Sequence, residues 1–318
     1  MEKFSLLKAI NDVANNRALD EKAQSVVNAG VAEMRKAGQN YSGQIVLPVE
    51  KREIQATVAT SGQEVVAEDK LDILEPLRAN LVLTDAGATY MTGLVGDVSI
   101  PTYTGSNVGW KGEIAAADDG AGTFGEVNLS PKRLTAYLDI SKQFLIQDSA
   151  SAEEMLKNDI VRALSNKLEA TILGSAAGSA TQPAGIFNGA SAATLTYAGT
   201  VAMEEELEDN NVHGELSYIV SPAAKATLRT TAKDSGSGLF VMENGEINGL
   251  PVYTSSACSG IVLGDWQEYV IAQWGGIDLT VDPYTQASNG MIRLVVNAYF
   301  DAKPRRSEAF VAGTVSNG

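Results

Sequence analysis

Leu156, Ile160, Leu164, Leu168 and Ile172 recur at four-residue steps, and Val161 and Leu173 widen the stripe. That period predicts a one-sided amphipathic helix. Ser151 is placed to cap it, and Glu154, three residues on, completes a capping box. Gly174 and Gly178 stop it. About 22 residues at about 1.5 Å each make a rod of roughly 33 Å. Lys157, Asn158, Arg162, Asn166, Lys167 and Glu169 are expected to face away from the buried stripe.

Upstream, residues 127–146 read as extended chain. Val127, Leu129, Leu134, Leu138 and Ile140 stand among polar partners, as in a half-buried strand pair. Residues 102–137 read as one long hairpin with Val108 and Trp110 on the outgoing strand. Its tip, 115–122, is small and acidic and has no bulky apolar residue. Such a hairpin is marginal alone and needs a partner surface. At the N-terminus, Leu6, Ile10 and Val13 form a short stripe. A second helix is predicted from Asp20 through Ala23, Val26, Val27, Val31 and Met34 to Gly38. Both are set apart from the later core pattern, so residues 1–60 are expected to be held by neighbours. Residues 41–70 are polar and extended, with Ile54, Ala56 and Val58 alternating, and a short helix is predicted over 71–81.

After the long helix, 181–289 reads as a compact inserted unit. It holds a short acidic helix over 203–211, a strand over 216–220 and a helix opened by Pro222. Short strands follow near 239–242, 246–254, 261–263, 268–273 and 277–281, split by Asn-Gly and Gly-Gly turns. Residues 289–315 return as strands to the first unit.

With 318 residues and ordinary apolar content, the chain is long enough for two such units. No apolar run reaches membrane-spanning length and no secretory signal is evident, so a soluble protein made in a cytoplasm is expected. Cys258 is the single cysteine, which excludes an intrachain disulfide and a multi-cysteine zinc site. A net charge of −15 argues against gripping nucleic acid through its phosphates, but not against enclosing it.

Candidate chemistry is thin. His213 is the single histidine and no G-x-S-x-G elbow accompanies it. Cys258 reads as a packed small side chain. Ser221 and Lys225 sit one turn apart, yet Ser221 also fits a helix cap. Glu204, Glu205, Glu206, Glu208 and Asp209 read as a solvated face before a cation or glycosidase site. Asp118 and Asp119 read as a solvated loop tip. The glycines at 93–96 and 236–238 make no phosphate loop. Trp110, Trp266 and Trp274 are too scattered to stack bases, which leaves core or interface anchoring. No enzyme activity, cofactor or metal is expected.

The order of these elements resembles the tailed-bacteriophage major capsid protein family, the Hong Kong 97 fold. LEPLRANLVLTDAGATYMTGLVGDVSIP and GWKGE are similar to the approach to that family's E-loop, and LSPKRLTAYLDISKQFLIQDS to its return strand. GDWQEYVIAQWGGIDLTVD and MIRLVVNAYFDAKPRRSEAFVAG resemble its late strands. The similarity covers about residues 70–315. It implies an α+β fold with an N-terminal arm (1–70), a peripheral domain in three pieces (71–101, 138–180 and 290–318), an E-loop (102–137) and an axial domain (181–289). The long helix becomes the spine, with Leu156, Ile160, Leu164, Leu168 and Ile172 as its core. Trp110, Lys111, Asp118 and Asp119 mark the intersubunit hairpin.

The resemblance implies an icosahedral phage head built from hexamers and pentamers in a bacterial cytoplasm. Its partners would be a portal and a scaffold or protease, and it would enclose double-stranded DNA without sequence-specific binding. Residues 1–40 would be an arm or the remnant of a fused scaffolding segment. Some family members crosslink an E-loop lysine to a late-strand asparagine with help from a glutamate. Here the tip has no lysine, and Lys111, Lys132, Asn297 and Glu308 have unconvincing spacing, so no crosslink is expected. The alternatives are an encapsulin-like nanocompartment, whose short N-terminal signature is not seen, and a soluble carboxylate-dependent glycoside hydrolase.

Overall fold

A computed structural model describes residues 5–15, 17–48, 81–105, 121–143, 150–236 and 238–315, with Val108, Trp110, Lys111, Ala116 and Asp119 between. Most of the polar 41–70 stretch and the helix expected over 71–81 lie outside the described residues.

Two capped helices open the chain. Ser5 Oγ accepts from Lys8 N at 3.2 Å to start α1 (Leu6–Ala14). Asp20 Oδ1 accepts from Ala23 N at 2.7 Å to start α2 (Glu21–Lys36), and that bond holds the Asp20 carboxyl below its usual range. These helices are not detached. Leu6, Leu7, Ile10, Val27, Val31 and Met34 are buried in the same core as the long helix. The reason lies in β1 (Ile45–Leu47), which pairs antiparallel with a strand far downstream, opposite Ile277, Asp278 and Leu279. Helix α2 packs closely on β1: a Cβ at Gly30 would sit 2.3 Å from Val46 O. An expected arm is therefore, over 5–47, part of the body.

After α3 (Val82–Asp85) the strands are β2 (Thr89–Met91), β3 (Val98–Thr104), β4 (Thr123–Leu129) and β5 (Lys132–Ser141). The extended stretch is thus two strands with a break at Ser130-Pro131. The hairpin return ends at Leu129, while β5 joins the body sheet alongside a C-terminal strand. The long helix, α4 (Ala150–Ile172), has 23 residues. It begins early enough that Ser151 lies inside it, not at its cap. Leu156, Ile160, Leu164, Leu168 and Ile172 are all buried, with Val161 and Leu173. Glu169, expected on the free side, is buried too. It accepts a short hydrogen bond from Ser255 Oγ in the second lobe.

The second lobe starts with α5 (Tyr197–Asp209), which is capped by Thr196 and begins six residues before the expected start. It continues through β6 (Leu216–Val220), α6 (Pro222–Thr230), β7 (Met242–Glu243), β8 (Glu246–Ile247), β9 (Leu250–Thr254) and β10 (Gly260–Asp265). Asn244-Gly245 and Asn248-Gly249 form its two-residue turns, each with positive φ at both positions. Gly275-Gly276 is not a turn. It is a bulge inside one strand, β11 (Tyr269–Asp282). There Gly275 has φ +63, and a Cβ at Gly276 would fall 2.1 Å from Leu47 O.

The last strands are β12 (Met291–Pro304) and β13 (Phe310–Thr314). The described strands form a sheet of order β1-β11-β12-β5, with β2 parallel to β11, and a second of order β13-β10-β6-β9-β8-β7. β11 therefore belongs to the first lobe and β13 to the second, which moves the expected boundaries at 289–290. The chain changes sheet at Trp266–Glu268 and again at Ser307–Ala309. Trp266, Tyr269 and Phe310 pack there with ring centroids 5.2–6.0 Å apart, and Trp266 Nε1 donates to Ser217 O. Arg305 N to Glu268 O, 2.7 Å, ties the two crossings together.

Candidate functional site

The described residues hold no group of three His, Cys, Asp or Glu side chains fit for a metal ion, and no helix long and apolar enough to cross a membrane. Several of the candidate enzymatic groups have structural partners. Ser221 Oγ caps α6 through Ala224 N at 3.2 Å, while Lys225 Nζ donates to Thr254 Oγ1 at 2.9 Å, so the two are not engaged with each other. Cys258 is buried beside Ile219 O and Gly260 O, and burial pushes its thiol up to about 12. His213 is exposed. Of the acidic run, Glu204 turns inward to accept from Tyr218 Oη and Asn248 Nδ2, and the rest face solvent. Trp266 and Trp274 anchor the core, with Trp274 Nε1 donating to Gly96 O at 2.7 Å.

The outer part of the hairpin has large apolar side chains that lie outside the described cores. β3 and β4 pair only with each other among the described strands, from Val98↔Leu129 to Thr104↔Thr123. Its root is well buried: Leu129 packs with Val270, Ala272 and Trp274, and Val98 and Ile100 lie against them. Further out, the hairpin holds its shape through polar pairs. Glu126 accepts from Asn128 Nδ2 and Ser99 Oγ, which together keep its carboxyl below the usual range. Tyr103 and Phe124 stack at 4.7 Å while 51% and 84% exposed. Val108 and Trp110 are almost wholly exposed, and Lys111 and Asp119 are exposed too; Asp118 lies outside the described residues. Large exposed apolar side chains thus lie on the ribbon, at Tyr103 and Phe124, and just beyond it, at Val108 and Trp110. The sequence reading found Trp110 but missed Tyr103 and Phe124. They are a cross-strand pair, and only the register brings them together.

Of the groups considered for a crosslink, Lys132 and Asn297 sit in the body and not on the hairpin. Lys132 is buried against Asp301. Asn297 is buried on β12 with its Nδ2 3.4 Å from Asp278 Oδ2, and its Oδ1 has no hydrogen-bond partner among the described residues. Burial raises the Asp278 pKa above its ordinary value. A raised carboxyl binds its proton more tightly folded than unfolded. Its contribution to stability thus falls as pH rises from the unfolded pKa through the folded one. Asp278→Asn is expected to raise the melting temperature at pH 7, with the gain disappearing below about pH 3.9. Thermal melts at the two pH values measure it. An equal gain at both would show that charge at Asp278 is not the cause.

Relatives place this geometry. Residues 62–315 match the phage capsid family. The major capsid protein of Halomonas phage phiHAP-1 is 29% identical, over 98% of this chain and 54% of its own length. The chain thus spans about half of that relative. The capsid of a native GTA particle matches with a TM-score of 0.59 at 15% identity, over 82% of this chain and 96% of that one. A chain of Gordonia phage Cozz gives 0.56 at 14% identity, over 74% and 87%. At such identity the structural matches speak for fold alone. The family match is different in kind: it runs from before the hairpin through α4 and both late strands. The chain belongs to the phage capsid family.

Proposed function

We propose that this protein is a phage major capsid protein that self-assembles into an icosahedral head around double-stranded DNA. The supporting observation is the hairpin, on which the Tyr103 and Phe124 rings lie side by side and exposed, while both lobes among the described residues have buried apolar cores. In Hong Kong 97 terms, β3–β4 is the E-loop and α4 is the spine. The first sheet with α1 and α2 is the peripheral domain, and the second lobe is the axial domain. Hexamers and pentamers gather around the second lobes, and each hairpin lies on a neighbouring copy. A portal and a scaffold or protease act during assembly in the host cytoplasm. The finished particle is the virion head. The protein acts through its interfaces, without catalysis, and its net charge of −15 suits a wall that contains DNA without holding it.

Replacing residues 105–122 with Asn-Gly tests this. Thr104 and Thr123 already face each other, so a two-residue turn closes the ribbon in register. The shortened chain is expected to keep its circular dichroism spectrum and melt. It is expected to sediment as free subunits or small oligomers where the parent sediments as closed shells. Full-sized particles from the shortened chain would refute the hairpin's role as an intersubunit contact.

A further inference from the structure

The hairpin's direction is decided where it leaves the body, because beyond that point it pairs with no other described strand. At the root, two neighbouring residues on one face of β12 grip two residues of the hairpin end. Asp301 Oδ2 accepts from Ser130 N at 3.0 Å, and Lys303 Nζ donates to Asn128 O at 2.6 Å. An acid takes the peptide donor and a base takes the peptide acceptor, on either side of the buried Leu129. Side chains thus stand in for the backbone ladder that joins ordinary strands. The carboxylate is itself held firmly. It is fully buried, its Oδ1 accepts from Ala302 N at 3.0 Å, and Lys132 Nζ lies 2.5 Å from Oδ2.

Apolar contacts alone would hold the root down without fixing its angle. A buried ion pair is a weak source of stability compared with a well-packed apolar pair, because both charges lose their hydration. Charge-assisted hydrogen bonds, by contrast, are directional. We propose that Asp301 and Lys303 are positioning residues that aim the hairpin, and so decide whether it lands correctly on a second copy of the chain. This rests on the reading of the hairpin as an intersubunit contact.

The test uses Asp301→Asn and Lys303→Met in the full chain, beside the 105–122 replacement. In dispersed subunits, Ser130 N–H exchange is expected to quicken about tenfold or more in Asp301→Asn, while amides in α4 keep their protection. Lys303→Met removes a half-buried side chain and is expected to leave the melt nearly unchanged. Electron microscopy of both variants is expected to show fewer closed shells and a broader spread of diameters. A merely structural role would lower the melt without broadening the particles. If Asp301→Asn fails to fold, Lys303→Met decides alone. Uniform, parental particles from the variants, while the 105–122 replacement blocks assembly, would overturn the aiming role and leave the hairpin reading intact. Normal particles from the 105–122 replacement would overturn both.

Discussion

Leu164→Asp is expected to leave the chain insoluble or without a cooperative melt. Leu164 lies mid-way along α4, is 3% exposed, and shares a core with β11, β12 and the N-terminal helices. An aspartate there would place its charge within that apolar cluster. The cost of burying an unpaired charge is several kcal/mol, which rivals the roughly 5–15 kcal/mol that holds a domain folded. Met155→Asp is the control. It lies on the same helix but is 63% exposed, and its substitution is expected to stay within about 0.5 kcal/mol. Soluble yield and thermal melting separate the two. Similar behaviour of both variants would mean that the stripe does not pack as described.

Removing residues 1–48 is expected to be as damaging, against the expectation that an arm is dispensable. The deletion strips Leu6, Leu7, Ile10, Val27, Val31 and Met34 out of the main core. It also takes β1 from β11, opening the edge of β11 at Ile277, Asp278 and Leu279 beside a bared apolar surface. Each large side chain lost from a core costs about 2–5 kcal/mol. The truncated chain is expected to aggregate and to lose its cooperative transition by calorimetry. A sharp melt near the parental temperature would restore these residues to the status of an arm.

Much of the fold is written locally. The four-residue stripe of α4, the Asp20 cap with Gly38 beyond it, Ser221-Pro222, and the two Asn-Gly turns each lie within a few residues and act through local geometry. What went astray did so for reasons of partnership. Residues 6–34 carry stripes too narrow to say what they cover, and they became core because β1 docks on β11, more than two hundred residues on. Gly275-Gly276 looks like a turn on paper. It is a bulge because Leu47 O approaches too closely for any side chain at Gly276. Glu169 falls among polar helix positions, yet it is buried because Ser255 arrives from the other lobe.

The hairpin divides along the same line. The exposure of Trp110 was legible, since a bulky apolar residue beside a run with nothing to pack signals a surface, while most of the tip lies outside the described residues. Tyr103 with Phe124, and Ser130 with Asp301, were not, because each pair is made by register or by crossing from one sheet to another. By itself the sequence determined the buried stripe of α4, the starts of α2 and α6 and the two Asn-Gly turns, through short-range sterics and periodic burial. Only the tertiary structure decided which strands share a sheet, where the lobes divide and how the hairpin is held. Those depend on contacts between residues far apart in the chain, whose free energy is gained only when the core closes around them.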